Sequence, residues 1–193
     1  VMRLKQPWWS GLVAVVLSGL VGVTAVAAAG TQFLPLLVTR EGSERSVQIP
    51  RSDGIIAYVT LLNERDGGFN GVPLVWEECE TVYDVPRGIE CYEHLKAKGA
   101  TGAAVFQLAN TPLVNALIER ATQDKIPLLA GPPGRSDASD GRVFPYVFNP
   151  PINYWSQNTA KIRFIGQQVG GMAQLKGVKI AHVYFDNDYG RET

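Results

Sequence analysis

Apolar residues fall into two rhythms along this chain: short unbroken runs, and longer stretches spaced three to four apart. Gln32 to Val38 is a short apolar run that suits a buried strand. Thr39 to Gly54 is polar and interrupted by Gly42, Pro50 and Gly54, which predicts a loop. Helical spacing begins at Ile55 and runs to Glu64, with Ile55, Ile56, Tyr58, Val59 and Leu62 on one side, and Gly67-Gly68 should stop it. Asn70-Gly71 predicts a turn and Val72 to Trp76 a second strand. Asp84 is placed to cap a helix with Pro86 in its first turn and Val85, Ile89, Tyr92 and Leu95 facing inward, ending at Gly99. Thr101 to Phe106 predicts a third strand. Thr111, as N-cap, and Pro112 should open the next helix, with Leu113, Leu117 and Ile118 inside. A fourth strand is expected at Ile126 to Ala130 and a loop at Gly131 to Gly141. A longer helix is expected at Asn153 to Met172, and a fifth strand at Lys179 to Phe185.

Short strands alternating with longer helices predict an α/β fold in which helices flank a parallel sheet. Such sheets bind ligands at the carboxyl ends of their strands, where strand order reverses. The loops after residues 38, 79, 106, 130 and 185 are therefore where a site is expected. The last strand and turn follow a single helix, and a lone strand with one helix cannot bury both faces. Residues 30–148 are expected to form one lobe, and 149–193 the incomplete beginning of a second.

Composition changes this picture at one end. Arg3 and Lys5 precede an apolar run from Trp8 to Ala29, and the run closes on Ala25-Val26-Ala27-Ala28-Ala29-Gly30. A basic start, apolar middle and small-residue end describe a secretory signal peptide over residues 1–29. The same run is long enough to serve as a retained membrane anchor. Either way the rest is exported, which implies a periplasmic location. With 18 Lys+Arg against 18 Asp+Glu, nothing in the charge points to nucleic acid. Cys79 and Cys91 do not form a redox or zinc Cys-x-x-Cys pair. In an oxidising compartment a structural disulfide is the better reading, with two buried thiols as the alternative.

Enzyme chemistry leaves no visible mark. Phosphate loops, dinucleotide fingerprints and nucleophile elbows are all missing, and no cofactor or metal site is expected. His94 sits among Glu93 and Lys96 and should be solvated, while His182 should be a core residue of the fifth strand. Glu77, Glu78 and Glu80 flank a strand end and suit a solvated rim. The informative stretch is Gln107-Leu108-Ala109-Asn110-Thr111-Pro112, a strand running into a helix whose N-terminal N–H groups suit a carboxylate.

Leu61-Leu62-Asn63-Glu64-Arg65-Asp66-Gly67-Gly68-Phe69-Asn70-Gly71-Val72 resembles a segment of the periplasmic substrate-binding proteins of branched-chain amino-acid-type ABC transporters. So do Trp76–Thr81, Glu90–Lys96, Asp124–Leu129 and Asp186–Glu192, in order, so that the resemblance covers about 31–193. It implies a type I periplasmic binding protein, a Venus-flytrap clamp of two lobes. This chain would supply lobe one and the start of lobe two of a C-terminally truncated member. It further implies a non-enzymatic partner of an ABC permease in the membrane that binds a small solute, an amino acid or a related carboxylate or amide. The extracytoplasmic sensor domain of a receptor with the same fold is the alternative. Carried onto this sequence, the ligand contacts fall at Leu108, Ala109, Asn110, Thr111, Gly134, Arg135, Ser136 and Tyr189. Arg135 is expected to be the fixed cation that meets a carboxylate, with a surface charge balancing Asp137 and Asp140 as the alternative.

Overall fold

The computed structural model describes residues 30–131, 134–149 and 151–192. The expected signal segment over 1–29 lies outside the described residues. Strand β1 (Gln32–Val38) pairs in parallel with β2 (Leu74–Glu80), and β3 (Phe106–Leu108), β4 (Leu128–Ala130) and β5 (Val147–Phe148) form a second parallel set. A parallel bridge from Phe33 to Ala103, with Ala104 N donating to Phe33 O at 3.1 Å, lays β3 along β1. The strand order is therefore β2-β1-β3-β4-β5. It reverses between β1 and β3, the position at which doubly wound sheets bind ligands.

Helix α1 (Arg45–Asp66) packs on β1. Helices α2 (Val85–Leu95) and α3 (Thr111–Asp124) pack on each other and on the strands beside them. The core lies beneath α2 and α3, where Tyr92, Leu95, Phe106, Leu113, Leu117 and Leu128 have lost essentially all contact with water. The Tyr92 and Phe106 rings meet at 4.6 Å, and the Tyr92 hydroxyl donates to Asp124 at 2.9 Å, giving the buried phenol a partner. A disulfide joins Cys79 on β2 to Cys91 on α2.

Several elements differ from their sequence expectation. The loop expected over Thr39 to Gly54 is two-thirds helix, because α1 begins at Arg45 and runs through Pro50 and Gly54. A proline inside a helix loses one hydrogen bond and costs about 3 kcal/mol. Burial of Gln48 and Ser52 against the fold overrides that local penalty. At its far end the helix stops where expected, with Gly67 at φ 68°. Gly68 follows at φ 99°, where a Cβ would collide with the Val72 carbonyl. Strands β2, β3 and β4 start two to five residues later than the apolar runs suggest, since pairing with β1 and with each other sets the register, and β5 was not foreseen.

Asn110, not Thr111, caps α3: its side chain accepts from Leu113 N at 3.1 Å. The long helix expected to reach Met172 is α4 (Tyr154–Gln168), capped by Asn153, with a separate 3-10 turn at Met172–Leu175. Lys179 to Phe185 is not a strand. It has no pairing partner among the described residues, and a strand exists only as part of a ladder. His182 there is consequently exposed rather than in a core, stacked 5.4 Å from Tyr184. A short helix α5 (Asp188–Arg191) follows.

Among the described residues no helix is long and apolar enough to cross a membrane. The acidic rim is engaged in pairs: Glu77 with Lys98 at 2.6 Å and Glu78 with Arg40 at 2.6 Å. Glu80 uses its two oxygens to accept the backbone N–H groups of Arg40 and Val82, each at 2.7 Å.

Candidate functional site

A cavity of about 370 Å³ opens at the carboxyl ends of β1 to β4. That volume suits a small organic molecule. Its floor is Leu108 and Ala109 at the end of β3, Ala130 and Gly131 at the end of β4, and Val114 of α3. The first turns of α1 make one wall through Glu44, Val47, Gln48 and Arg51, a spacing that puts all four on one helix face. Gln48 is buried and its Nε2 donates to Ala109 O at 3.2 Å, tying that wall to the floor. Tyr83, from the loop between β2 and α2, and Tyr154, Phe185 and Tyr189, from the segment beyond 149, close the remaining sides. The Tyr154 and Tyr189 rings meet edge to face at 5.6 Å.

Tyr83 is set by an unusual backbone. Val82 and Tyr83 sit in succession at φ 47° and 63°, a left-handed conformation that is strained for a β-branched residue. Three hydrogen bonds hold it there. Glu80 takes the N–H of Val82, Thr81 Oγ1 takes that of Tyr83 at 3.3 Å, and the Asn110 side chain donates to Tyr83 O at 3.2 Å. Burial, with the nearby Glu44 carboxylate, pushes the Tyr83 phenol up to about 12, so it remains a neutral hydroxyl at any ordinary pH.

Five of the residues expected to touch a ligand line this cavity: Leu108, Ala109, Thr111, Arg135 and Tyr189. The other three serve as supports. Asn110 is buried, capping α3 and holding the Tyr83 loop. Gly134 exchanges backbone hydrogen bonds with Ile152 and Tyr154 at 3.1 and 3.0 Å, and a Cβ there would strike the Asn149 side chain. Ser136 accepts Trp155 N at 3.2 Å through Oγ and donates its own N–H to Glu192 at 2.6 Å. Gly134 and Ser136 thus fasten α4 and α5 to the β4 loop.

Thr111 spends its hydroxyl on Tyr154 Oη at 2.7 Å rather than on a cap. With Pro112 lacking an N–H, Leu113 N held by Asn110 Oδ1 and Val114 N by Asn110 O, the first turn of α3 keeps only the Thr111 N–H for a ligand. Arg135 Nη1 donates to Asn115 Oδ1 at 3.1 Å, and its guanidinium lies 5.8 Å over the Phe144 ring. Arg135 is not the sole cation of the site, because Arg51 also lines the cavity, and burial draws its guanidinium below the ordinary arginine range. Arg51, like Glu44 and Gln48, was hidden by the expectation of a loop. The i, i+3, i+4, i+7 spacing of 44, 47, 48 and 51 was the signal that could have revealed the wall.

The profile of the family described as periplasmic binding protein matches residues 31–193. An ABC transporter permease structure from the Pseudomonas fluorescens group is 43% identical over 85% of this chain and 40% of its own, with a TM-score of 0.74. A fatty acid ABC transporter substrate-binding protein from Thermomonospora curvata shares the fold at 19% identity and TM-score 0.68, over 84% of this chain and 39% of its own. A substrate-binding protein from Desulfitobacterium hafniense, in complex with Leu, does so at 15% identity and TM-score 0.61, over 84% and 44%. The chain therefore spans about two-fifths of the length of these structures. No curated protein matches the sequence.

Proposed function

The chain belongs to the periplasmic binding protein family, and from that premise we propose that it is the extracytoplasmic solute-binding component of an ABC importer. It takes a small carboxylate-bearing solute into the cavity and presents it to a membrane permease, catalysing nothing itself. The observation that carries this reading is the make-up of the cavity. Its floor comes from strand ends before residue 149 and its lid from Tyr154, Phe185 and Tyr189 beyond it. A site shared between two parts of a chain gains its affinity when they come together, which is how a clamp works. Ala109 and the Thr111 N–H line the floor, Tyr189 covers the solute, and Arg135 stands at the rim. Asn110, Gly134 and Ser136 position the loops that carry them.

Thermal unfolding of the exported protein against a panel of amino acids, carboxylates and amides tests the proposal. A cognate solute at a hundred times its Kd should add about 2.7 kcal/mol of stability and raise Tm accordingly. A panel that leaves Tm unmoved, together with turnover of any member, would replace the binding reading with an enzymatic one.

A further inference from the structure

We propose that Arg51 is the carboxylate-holding group of this cavity, and that the ligand is an anionic organic acid with an apolar body and no charged amine. The proposal rests on the solute-binding reading above and names the class of solute. Arg51 lies in the second turn of α1 and forms part of the cavity wall. Its Nη2 is buried and has no hydrogen-bond partner among the described residues. A guanidinium nitrogen withdrawn from water without a hydrogen-bond partner is costly, and folds do not tolerate such a group idly. A ligand carboxylate supplies the missing partner.

Two further observations narrow the class. The helix N-terminus beside the floor is largely consumed by its own cap, keeping only the Thr111 N–H, so the main-chain route to a carboxylate is thin. The lining includes the guanidinium groups of Arg51 and Arg135 and the carboxylate of Glu44, while Tyr83, Tyr154, Phe185 and Tyr189 offer apolar surface and hydroxyls. An aromatic-walled cavity with the unpartnered Arg51 nitrogen in its wall favours an acid over a zwitterion, because an ammonium group would be desolvated beside that cation.

Calorimetry with two matched pairs tests this: isocaproate against leucine, and hydrocinnamate against phenylalanine, each differing by the amine alone. The expected result is that the acid of at least one pair binds about tenfold or more tighter than its amino acid. Arg51→Met should weaken that acid by about thirtyfold or more, the range found when one partner of a buried charge pair is removed. Arg51→Met should also melt at a higher temperature than the parent without ligand, since it removes a buried donor without a partner; a merely structural arginine would lower Tm instead. Arg51→Lys, which keeps the charge without the fork, should fall between the two in affinity. Tight leucine or phenylalanine binding that survives Arg51→Met and is lost in Glu44→Gln would overturn the inference while leaving the solute-binding reading intact. Failure of all four compounds to bind would also overturn it, and the solute-binding reading would then stand or fall on the broader panel.

Discussion

Tyr83 shows how much of this site is fixed at the level of single residues. Two consecutive non-glycine residues at positive φ cost about 1–3 kcal/mol each, and the acceptors of Glu80 and Thr81 with the Asn110 donor over-determine them. The outcome is a phenol held against the cavity, with its proton retained to about 12 rather than the ordinary value near 10. Because the folded state keeps a proton that the unfolded chain has already released, stability from this group is whole below about pH 10. It drains as pH rises through 12. Tyr92, also raised by burial and by its bond to Asp124, adds to the same decline. Denaturant unfolding across that alkaline range should show a shallower loss in Tyr83→Phe than in the parent. An identical slope would mean that Tyr83 titrates as a free phenol.

Elements are joined by a few specific fasteners. Asn63, within the stretch that carries the family resemblance, pairs both ways with Leu74: its Oδ1 accepts the Leu74 N–H at 2.9 Å and its Nδ2 donates to the Leu74 carbonyl at 2.7 Å. It locks the end of α1 to the start of β2. The disulfide does the same for the other end of β2, closing a loop of sequence separation 12 against α2. In the chain-entropy account such a loop contributes about 3 kcal/mol. Replacing both cysteines by alanine should therefore lower unfolding stability by about 2–4 kcal/mol while keeping the fold, and the denatured, unreduced parent should show no titratable thiol. Two free thiols would mean the bridge does not form in solution.

The same fasteners mark what could be seen in advance. The glycine stop after α1, the Asp84 cap and the strand–helix alternation are local chemistry, and they were legible. The first turns of α1 were not, because Pro50 and Gly54 argue against helix locally and only the burial of Gln48 and Ser52 argues for it. That one element concealed Arg51, Gln48 and Glu44, so Leu108 and Ala109 of the floor were foreseen and the wall was missed. Asn110 displaced Thr111 as cap because its side chain reaches both Leu113 N and Tyr83 O, a pairing that depends on a loop 27 residues away.

At the scale of the whole molecule, the cavity depends on cross-links between distant stretches. Thr111 bonds Tyr154, Asn115 bonds Asp188 at 2.9 Å, and Ser136 bonds Glu192. The region beyond 149 is thereby anchored at the cleft, yet between its anchors Lys179 to Phe185 has no regular structure, with Ile180, Tyr184 and Phe185 about half exposed and Val183 almost wholly so. A β-branched and aromatic stretch that joins no strand ladder among the described residues is a template that a second copy can extend. The consequence is colloidal: concentrated solutions of these 193 residues should thicken with intermolecular ladders, nucleated at this stretch and slowed by the charges of Lys179 and Asp186 on either side. Val183 is 94% exposed, so Val183→Lys removes little folded-state packing and places a gatekeeper in the middle of the run. Light scattering against concentration should rise more slowly in Val183→Lys than in the parent. Equal growth would place the sticky surface elsewhere.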